Sequence, residues 1–317
     1  MADYTKLDLK EASEILSLYN ITHIDELVPL SLGISNSNYK VCTKKGDYLL
    51  KVSNDKNTDE LTGETIILQH LADQGFELSL TPYEKSSSGP VYHVGDKFGV
   101  VFPFVRGIPP GPSDITCSEI GRSLAKLHLV DISSPKKGSL RHHEEVGFGA
   151  SQIISYVASK SCPEDFRDAF HSLFPHSLHS FSEIKWSESI IHGDLYYDNT
   201  LFQNESLEVI LDFEQGGIGE SILDLGISIS GTCLEKGIII APLVKSFMRG
   251  YQSVRELPKE ERAHLADAIC LGLLSIALWR IKRFKEKNMN PLMSDSYKEL
   301  LYRAEVFSTL VKNEKLL

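Results

Sequence analysis

Between Ile190 and Glu214 the chain places a carboxylate, an amide and a second carboxylate at a spacing that suits phosphoryl transfer. His192-Gly193-Asp194 is followed, after four intervening residues, by Asn199, the order H-x-D-x-x-x-x-N of a phosphoryl-transfer loop. Such a transfer passes through a loose transition state with charge spread over the phosphoryl oxygens, so catalysis is mostly positioning and neutralisation. Asp194 suits the base that orients an acceptor hydroxyl and takes its proton. The amide oxygen of Asn199 and the carboxylate of Asp212, which ends the mainly apolar segment Leu207 to Leu211, are hard ligands suited to Mg²⁺, with nucleotide phosphates and waters completing an octahedron. His192 is assigned to holding the loop by hydrogen bonds and not to the base. The competing reading is a plain turn between two short strands, because Asp, Asn and Gly are ordinary turn residues. Two linked motifs in the right order oppose it.

The elements that must position these residues follow from apolar spacing. Leu9 to Tyr19 has helical spacing, and Glu26 to Leu32, Asn38 to Thr43 and Tyr48 to Val52 read as three strands separated by turns. Between the first two strands, Gly33-Ile34-Ser35-Asn36-Ser37-Asn38 offers backbone and side-chain donors to phosphates, with Ser35, Asn36 and Ser37 as candidates, or is a simple turn. Lys51 stands in the middle of the apolar strand, where a buried ammonium is costly unless paired. Glu64, thirteen residues on within the helical stretch Asp59 to Leu71, suits the partner that shares the lysine with a nucleotide phosphate. The alternative for Lys51 is an edge-strand lysine that discourages aggregation. Phe98 to Val105 reads as the strand leading out of this first part, Ile115 to Leu129 and Leu265 to Lys285 as long helices, and His128 as a packed or capping histidine. His142 and His143, beside Glu144 and Glu145, read as a solvated loop.

A chain of 317 residues exceeds what one hydrophobic core comfortably serves, so a division at about residue 105 is expected, with residues 1–105 as a first lobe and 106–317 as a second. The 42% hydrophobic and 24% charged residues are those of an ordinary globule. A net charge of -10 argues against a nucleic-acid or anionic-membrane surface. Five scattered cysteines without a C-x-x-C pair read as reduced and cytoplasmic. The N-terminus has no apolar signal segment, and the longest apolar run, Ile269 to Trp279, is far short of the roughly 18 to 20 residues that span a bilayer.

The segments HGDLYYDN and ILDFE, at 192–199 and 210–214, resemble the choline kinase and aminoglycoside phosphotransferase family, and the resemblance extends over the whole chain. It implies an α+β, bilobal protein-kinase-like fold, with a small antiparallel-sheet N-lobe, a mainly helical C-lobe, and ATP as co-substrate with Mg²⁺ bound between them. Gly193 stands where protein kinases carry arginine, which the resemblance links to a small-molecule acceptor. It also implies that the Pro103 carbonyl and the Val105 N–H meet adenine, and that Asp224 braces the catalytic loop. Asp224 reads alternatively as a cap for the helix that follows.

Within the family the chain is most similar to homoserine kinases of the second type, through SNSN at 35–38, DLYYDN, Cys233-Leu234-Glu235 and Gly250 to Arg255. That similarity implies phosphorylation of the L-homoserine hydroxyl, a step of threonine biosynthesis. Glu214-Gln215-Gly216-Gly217 departs from the aromatic continuation common there. Partners are then ATP and a small hydroxyl-bearing amine or amino acid. Its carboxylate needs a cation, for which Arg280 and Arg283 are candidates by their planar forks, or else they belong to a solvated face. Glu214, Glu220 and Glu235 are candidates for its ammonium, and Arg255 stands in reserve for the carboxylate. The alternatives are a kinase for another amino alcohol, sugar or aminoglycoside, and a catalytically silent nucleotide-binding module.

Overall fold

The capping boxes at Asp8/Glu11 and Asn57/Glu60 start the first two helices, Leu9–Ser17 (α1) and Thr58–Asp73 (α2). In the computed structural model, which describes residues 5–30, 36–54, 56–133, 139–175, 181 and 183–313, both belong to the first of two compact units. That unit comprises Met1–Arg106 with Pro135–Leu140, and the second Gly107–Ser134 with Arg141–Leu317. Strands Glu26–Leu30 (β1), Asn36–Thr43 (β2), Gly46–Ser53 (β3), Tyr92–Val94 (β4) and Lys97–Pro103 (β5) form an antiparallel sheet in the order β1-β2-β3-β5-β4. Lys51 therefore lies on the central strand, opposite Asn38 on one side and Val100 on the other. An edge-strand role for it is ruled out.

Alternation along β3 decides which way Lys51 points. Leu50 and Val52 are buried in the cluster that α1 builds with Ala12, Ile15 and Leu16, so Lys51 projects from the opposite face. Two expectations change here. Asn36 to Asn38 are strand, not loop, because they pair with Ser53 to Lys51. The three-residue β4 was too short for alternation to signal it.

In the second unit, Asp114–Leu127 (α3), Ala150–Val157 (α4) and Glu164–Leu173 (α5) precede two strand pairs. Glu188–Ile191 (β6) pairs with Gly217–Glu220 (β9), and Thr200–Gln203 (β7) with Ser206–Ile210 (β8). Then come Ser221–Thr232 (α6), the small hairpin Leu234–Glu235 (β10) and Ile238–Ile239 (β11), Ala241–Gln252 (α7), Lys259–Ala263 (α8), Leu265–Arg280 (α9) and Tyr297–Asn313 (α10). α6 is buried along its whole length and α9 along nearly all of it, which makes them the packing axis of this unit. No helix among the described residues is long and apolar enough to cross a membrane.

Two local features matter for the site. α3 and α7 touch backbone to backbone, since a Cβ on Gly121 would collide with the Phe247 carbonyl and one on Gly250 with the Ser118 carbonyl. That approach sets His128, the C-cap of α3, beside Tyr251. The helix expected to run from Leu265 to Lys285 is α-helical only to Arg280 and continues as a π turn, Ile281–Glu286. The wider turn carries Arg283 out of the angular register with Arg280 that an α-helix would give.

Candidate active site

The catalytic-loop candidates lie between β6 and β8. His192 is fully buried, its Nε2 is 2.8 Å from the Leu211 carbonyl, and its ring packs on Phe213 with centroids 4.6 Å apart. The Asp194 N–H donates to His192 Nδ1 at 3.2 Å. Because that nitrogen accepts, the ring proton sits on Nε2 and is donated to Leu211. His192 thereby ties the Asp194 turn to the strand that delivers Asp212.

Gly193 has φ +76°, and a Cβ there would stand 2.8 Å from the Gln215 carbonyl. Both facts demand glycine. Asp224, with no exposed surface, accepts the His192 N–H through Oδ2 and the Gly193 N–H through Oδ1, each at 2.8 Å. It sits inside α6 and does not cap it.

Asn199 donates through Nδ2 to the Asp194 carbonyl at 2.7 Å and approaches Asp194 Oδ2 at 3.4 Å. That orientation makes its oxygen the ligand end. Asp212 adopts a left-handed conformation, φ 60° and ψ 63°, at the head of the short turn Phe213–Gln215. Aspartate tolerates that region better than most residues, and strain of this kind collects at functional sites. Burial, and then the negative charges of Glu214, Asp212 and Asp198, hold the Asp194 carboxyl well above the usual carboxylate range. Among the described residues no three His, Cys, Asp or Glu side chains gather into a metal cage. Two oxygen donors completed by phosphates is the arrangement usual for Mg²⁺.

In the first unit, Lys51 Nζ stands 3.4 Å from Glu64 Oε1, and Lys56 Nζ 2.7 Å from Glu64 Oε2, with Lys51 8% and Glu64 2% exposed. Lys56 was not anticipated, since it follows the strand and carries no periodic signal. Asn36 and Asn38 share the Lys51 face, because directly paired residues point the same way. Ser37 does not: it pairs with Val52, and its hydroxyl receives the Thr5 N–H at 2.8 Å and Asn54 Nδ2 at 2.9 Å. Its proposed phosphate role is corrected accordingly. Ser35 lies outside the described residues. Pro103 closes β5, and Val105 follows it outside any strand.

The acceptor candidates separate. Arg280 donates to the Ser296 carbonyl at 2.9 Å, lies 3.8 Å from Glu299, and is close enough to Tyr196 and Asp198 for its charge to oppose the upward pKa shift that burial imposes on both. The Tyr196 hydroxyl is buried beside Ser230 and near Asp194. Arg283 instead lies over the Trp279 ring at 4.9 Å. Glu214 neighbours Asp194. Glu220 pairs with Glu188 at the end of β9 remote from the loop, about 10 Å along the strand from Gly217, and burial with Glu144 and Glu188 raises its pKa to about 7. Glu235 is exposed on its hairpin. Neither of these last two meets the site.

Two residues missed in the sequence hold the chain around Asp212. Arg141 donates from Nε to Gly216 O at 2.8 Å and from Nη2 to Glu214 O at 2.8 Å and Phe213 O at 3.2 Å. His143, expected to be solvated, is 2% exposed; its Nδ1 is 2.8 Å from Gln215 O. The glutamates beside it gave a polar signature, while Gly193, distant in sequence, closes over its ring together with the nearby Gly147.

Comparison with known proteins bears on this site. Residues 26–264 match the phosphotransferase enzyme family, APH. The chain is 26% identical over 291 residues to a homoserine kinase of Polaromonas naphthalenivorans, covering 90% of each chain. It is 29% identical over 278 residues to one of Zymomonas mobilis, covering 83% of each. An amicoumacin kinase, solved in complex with AMP-PNP, Ca²⁺ and Ami, superposes with TM-score 0.71 at 15% identity, covering 96% of this chain and 97% of that one. A microcompartment-associated aminopropanol kinase superposes with TM-score 0.66 at 20% identity, covering 96% and 97%. The kinase-like fold expected from the sequence is thus shown, and the chain belongs to the phosphotransferase enzyme family as an ATP-dependent small-molecule phosphotransferase.

Proposed function

We propose that the protein transfers the γ-phosphoryl group of ATP to the hydroxyl of L-homoserine. The observation that carries this reading is the likeness to homoserine kinases along nine-tenths of both chains. Arg280 near Tyr196 and Asp198 supports it, because a zwitterionic acceptor needs a cation for its carboxylate on the side of the base. Glu214, beside Asp194, suits the acceptor ammonium.

Asp194 accepts a hydrogen bond from the acceptor hydroxyl and takes its proton as the new oxygen–phosphorus bond forms and the bond to ADP breaks. Lys51, held by Glu64, anchors nucleotide phosphate, with Asn36 on its face and Pro103 and Val105 offering main-chain groups to adenine. Asp212 and Asn199 fit Mg²⁺ by their donor chemistry; bound there, it supplies neutralisation of phosphate charge. His192 and Asp224 keep Asp194 in place.

A second reading, a different amino alcohol or an aminoglycoside, draws on the acids Glu214 and Asp198 near Asp194, which suit a cation without a carboxylate. A coupled ADP-release screen over homoserine, threonine, hydroxylysine, choline, ethanolamine, hexoses and aminoglycosides separates the two. Homoserine is expected to stimulate ADP release far above the others. Stimulation by choline or an aminoglycoside with none by homoserine overturns the substrate assignment.

A further inference from the structure

We propose that Tyr251 and Arg255 are positioning residues for the transfer, fixing the tautomer of His128 and through it the Asp224 carboxylate that holds the catalytic loop. The inference rests on the reading that the loop from His192 to Asn199 carries the chemistry.

The residues form a single line of hydrogen bonds, half-buried at Arg255 and buried at Tyr251, His128 and Asp224. Glu261, 2% exposed, accepts from Arg255 Nη1 at 3.3 Å and from the Ser187 N–H at 3.3 Å. Arg255 Nη1 also donates to the Tyr251 hydroxyl oxygen at 2.6 Å. That oxygen keeps its own hydrogen, and His128 Nδ1, 2.8 Å away, receives it. A ring nitrogen that accepts is unprotonated, so the imidazole hydrogen sits on Nε2, 3.1 Å from Asp224 Oδ2. Asp224 completes the line with the N–H groups of His192 and Gly193.

From Arg255 through Tyr251 and His128, each donated hydrogen points toward Asp224. With the opposite tautomer, a ring lone pair would face the carboxylate in a site with no exposed surface on either side chain, where electrostatic repulsion is poorly screened. Tyr251 is the group that forbids it. The consequence falls on Asp194, because its turn is anchored by the two N–H groups that Asp224 accepts, and a small displacement of a base costs rate.

The test is a double-mutant cycle on the full chain with Tyr251→Phe and His128→Gln, using the acceptor that gives the highest ADP release in the screen above. Tyr251→Phe is expected to lower kcat about tenfold, the loss of one buried hydrogen bond, with KM for ATP and acceptor changed by less than about twofold. Glutamine places an amide donor near the Nε2 position and has no tautomer to choose. His128→Gln therefore falls less than His128→Leu, and adding Tyr251→Phe to it lowers kcat little further. An equal Tyr251→Phe loss in both backgrounds, or an unchanged kcat, overturns the proposal.

Histidine-selective ¹⁵N NMR of the wild type reads the tautomer directly and decides the matter if His128→Gln does not fold. A pyridine-like Nδ1 with a protonated Nε2 is expected for His128; a protonated Nδ1 overturns it. Asp194→Asn is the control for the underlying reading, because activity that survives that change removes the loop from the chemistry whatever His128 does.

Discussion

The guanidinium of Arg141 donates from Nη2 to the carbonyl of Glu214 at 2.8 Å, two residues beyond Asp212. The same side chain also holds the carbonyls of Phe213 and Gly216, so one guanidinium grips three carbonyls of the chain that follows the left-handed Asp212. Replacing Arg141 by Ala is expected to lower activity by about 10- to 100-fold, as losing an outer partner of a metal site does, and to raise the Mg²⁺ concentration required. Arg141→Lys should recover little, since one ammonium cannot reproduce the planar fork. ADP release measured against Mg²⁺ checks both variants.

Asp194 and Asp212 separate by what they lose. Asp194→Asn is expected to reduce turnover by orders of magnitude while ATP still binds, because its carboxylate serves the acceptor. Asp212→Ala weakens nucleotide and metal binding together. Calorimetric titration of each variant with ATP and Mg²⁺ distinguishes them, and equal small losses in both would remove this loop from the reaction.

Arg280→Ala is expected to raise KM for homoserine and leave KM for ATP nearly unchanged, since removing one partner of a desolvated charge pair costs about 2 to 5 kcal/mol. Homoserinol, which lacks the carboxylate, should be almost indifferent to the change. Arg283→Ala, which removes a cation stacked on Trp279, should leave the preference for homoserine over homoserinol intact. An unaltered preference in Arg280→Ala places the carboxylate elsewhere.

His143 gives stability a pH dependence of known sign. Burial lowers its pKa below the ordinary 6.5, and Arg141 adds to this, against the opposing effects of its Gln215 hydrogen bond and the charges of Asp224 and Glu144. Below that value the unfolded chain takes a proton that the native state refuses, so His143 destabilises the fold progressively as pH falls from about 6.5 toward the native pKa. Half-buried carboxyls with raised pKa values, such as Asp194 and Glu220, act in the opposite sense. The comparison of wild type with His143→Gln isolates the histidine: melting temperatures that diverge between pH 7 and 5, with the wild type losing more, are expected. Parallel curves would show that His143 does not titrate there.

The order of residues along the chain determined the part of the site that is local. His192, Asp194 and Asn199 sit on one turn, and Asp212 ends the strand that returns beside it, so spacing alone carried their geometry through fixed strand and turn dimensions. Lys51 and Glu64 were legible for a related reason, because a lone lysine in an apolar strand must find a counter-charge. Tertiary structure decided the rest. Arg141 and His143 reach the Asp212 turn from more than 70 positions away, and His128 meets Tyr251 from 123 away. No local periodicity encodes such meetings; they depend on helices brought together by glycine contacts such as Gly121 and Gly250. The π turn after Arg280 was likewise invisible, since the apolar spacing continues through it while the backbone changes pitch. That change of pitch parts Arg280, near the catalytic loop, from Arg283 on Trp279, and a sequence that pairs them three residues apart has no means of expressing it.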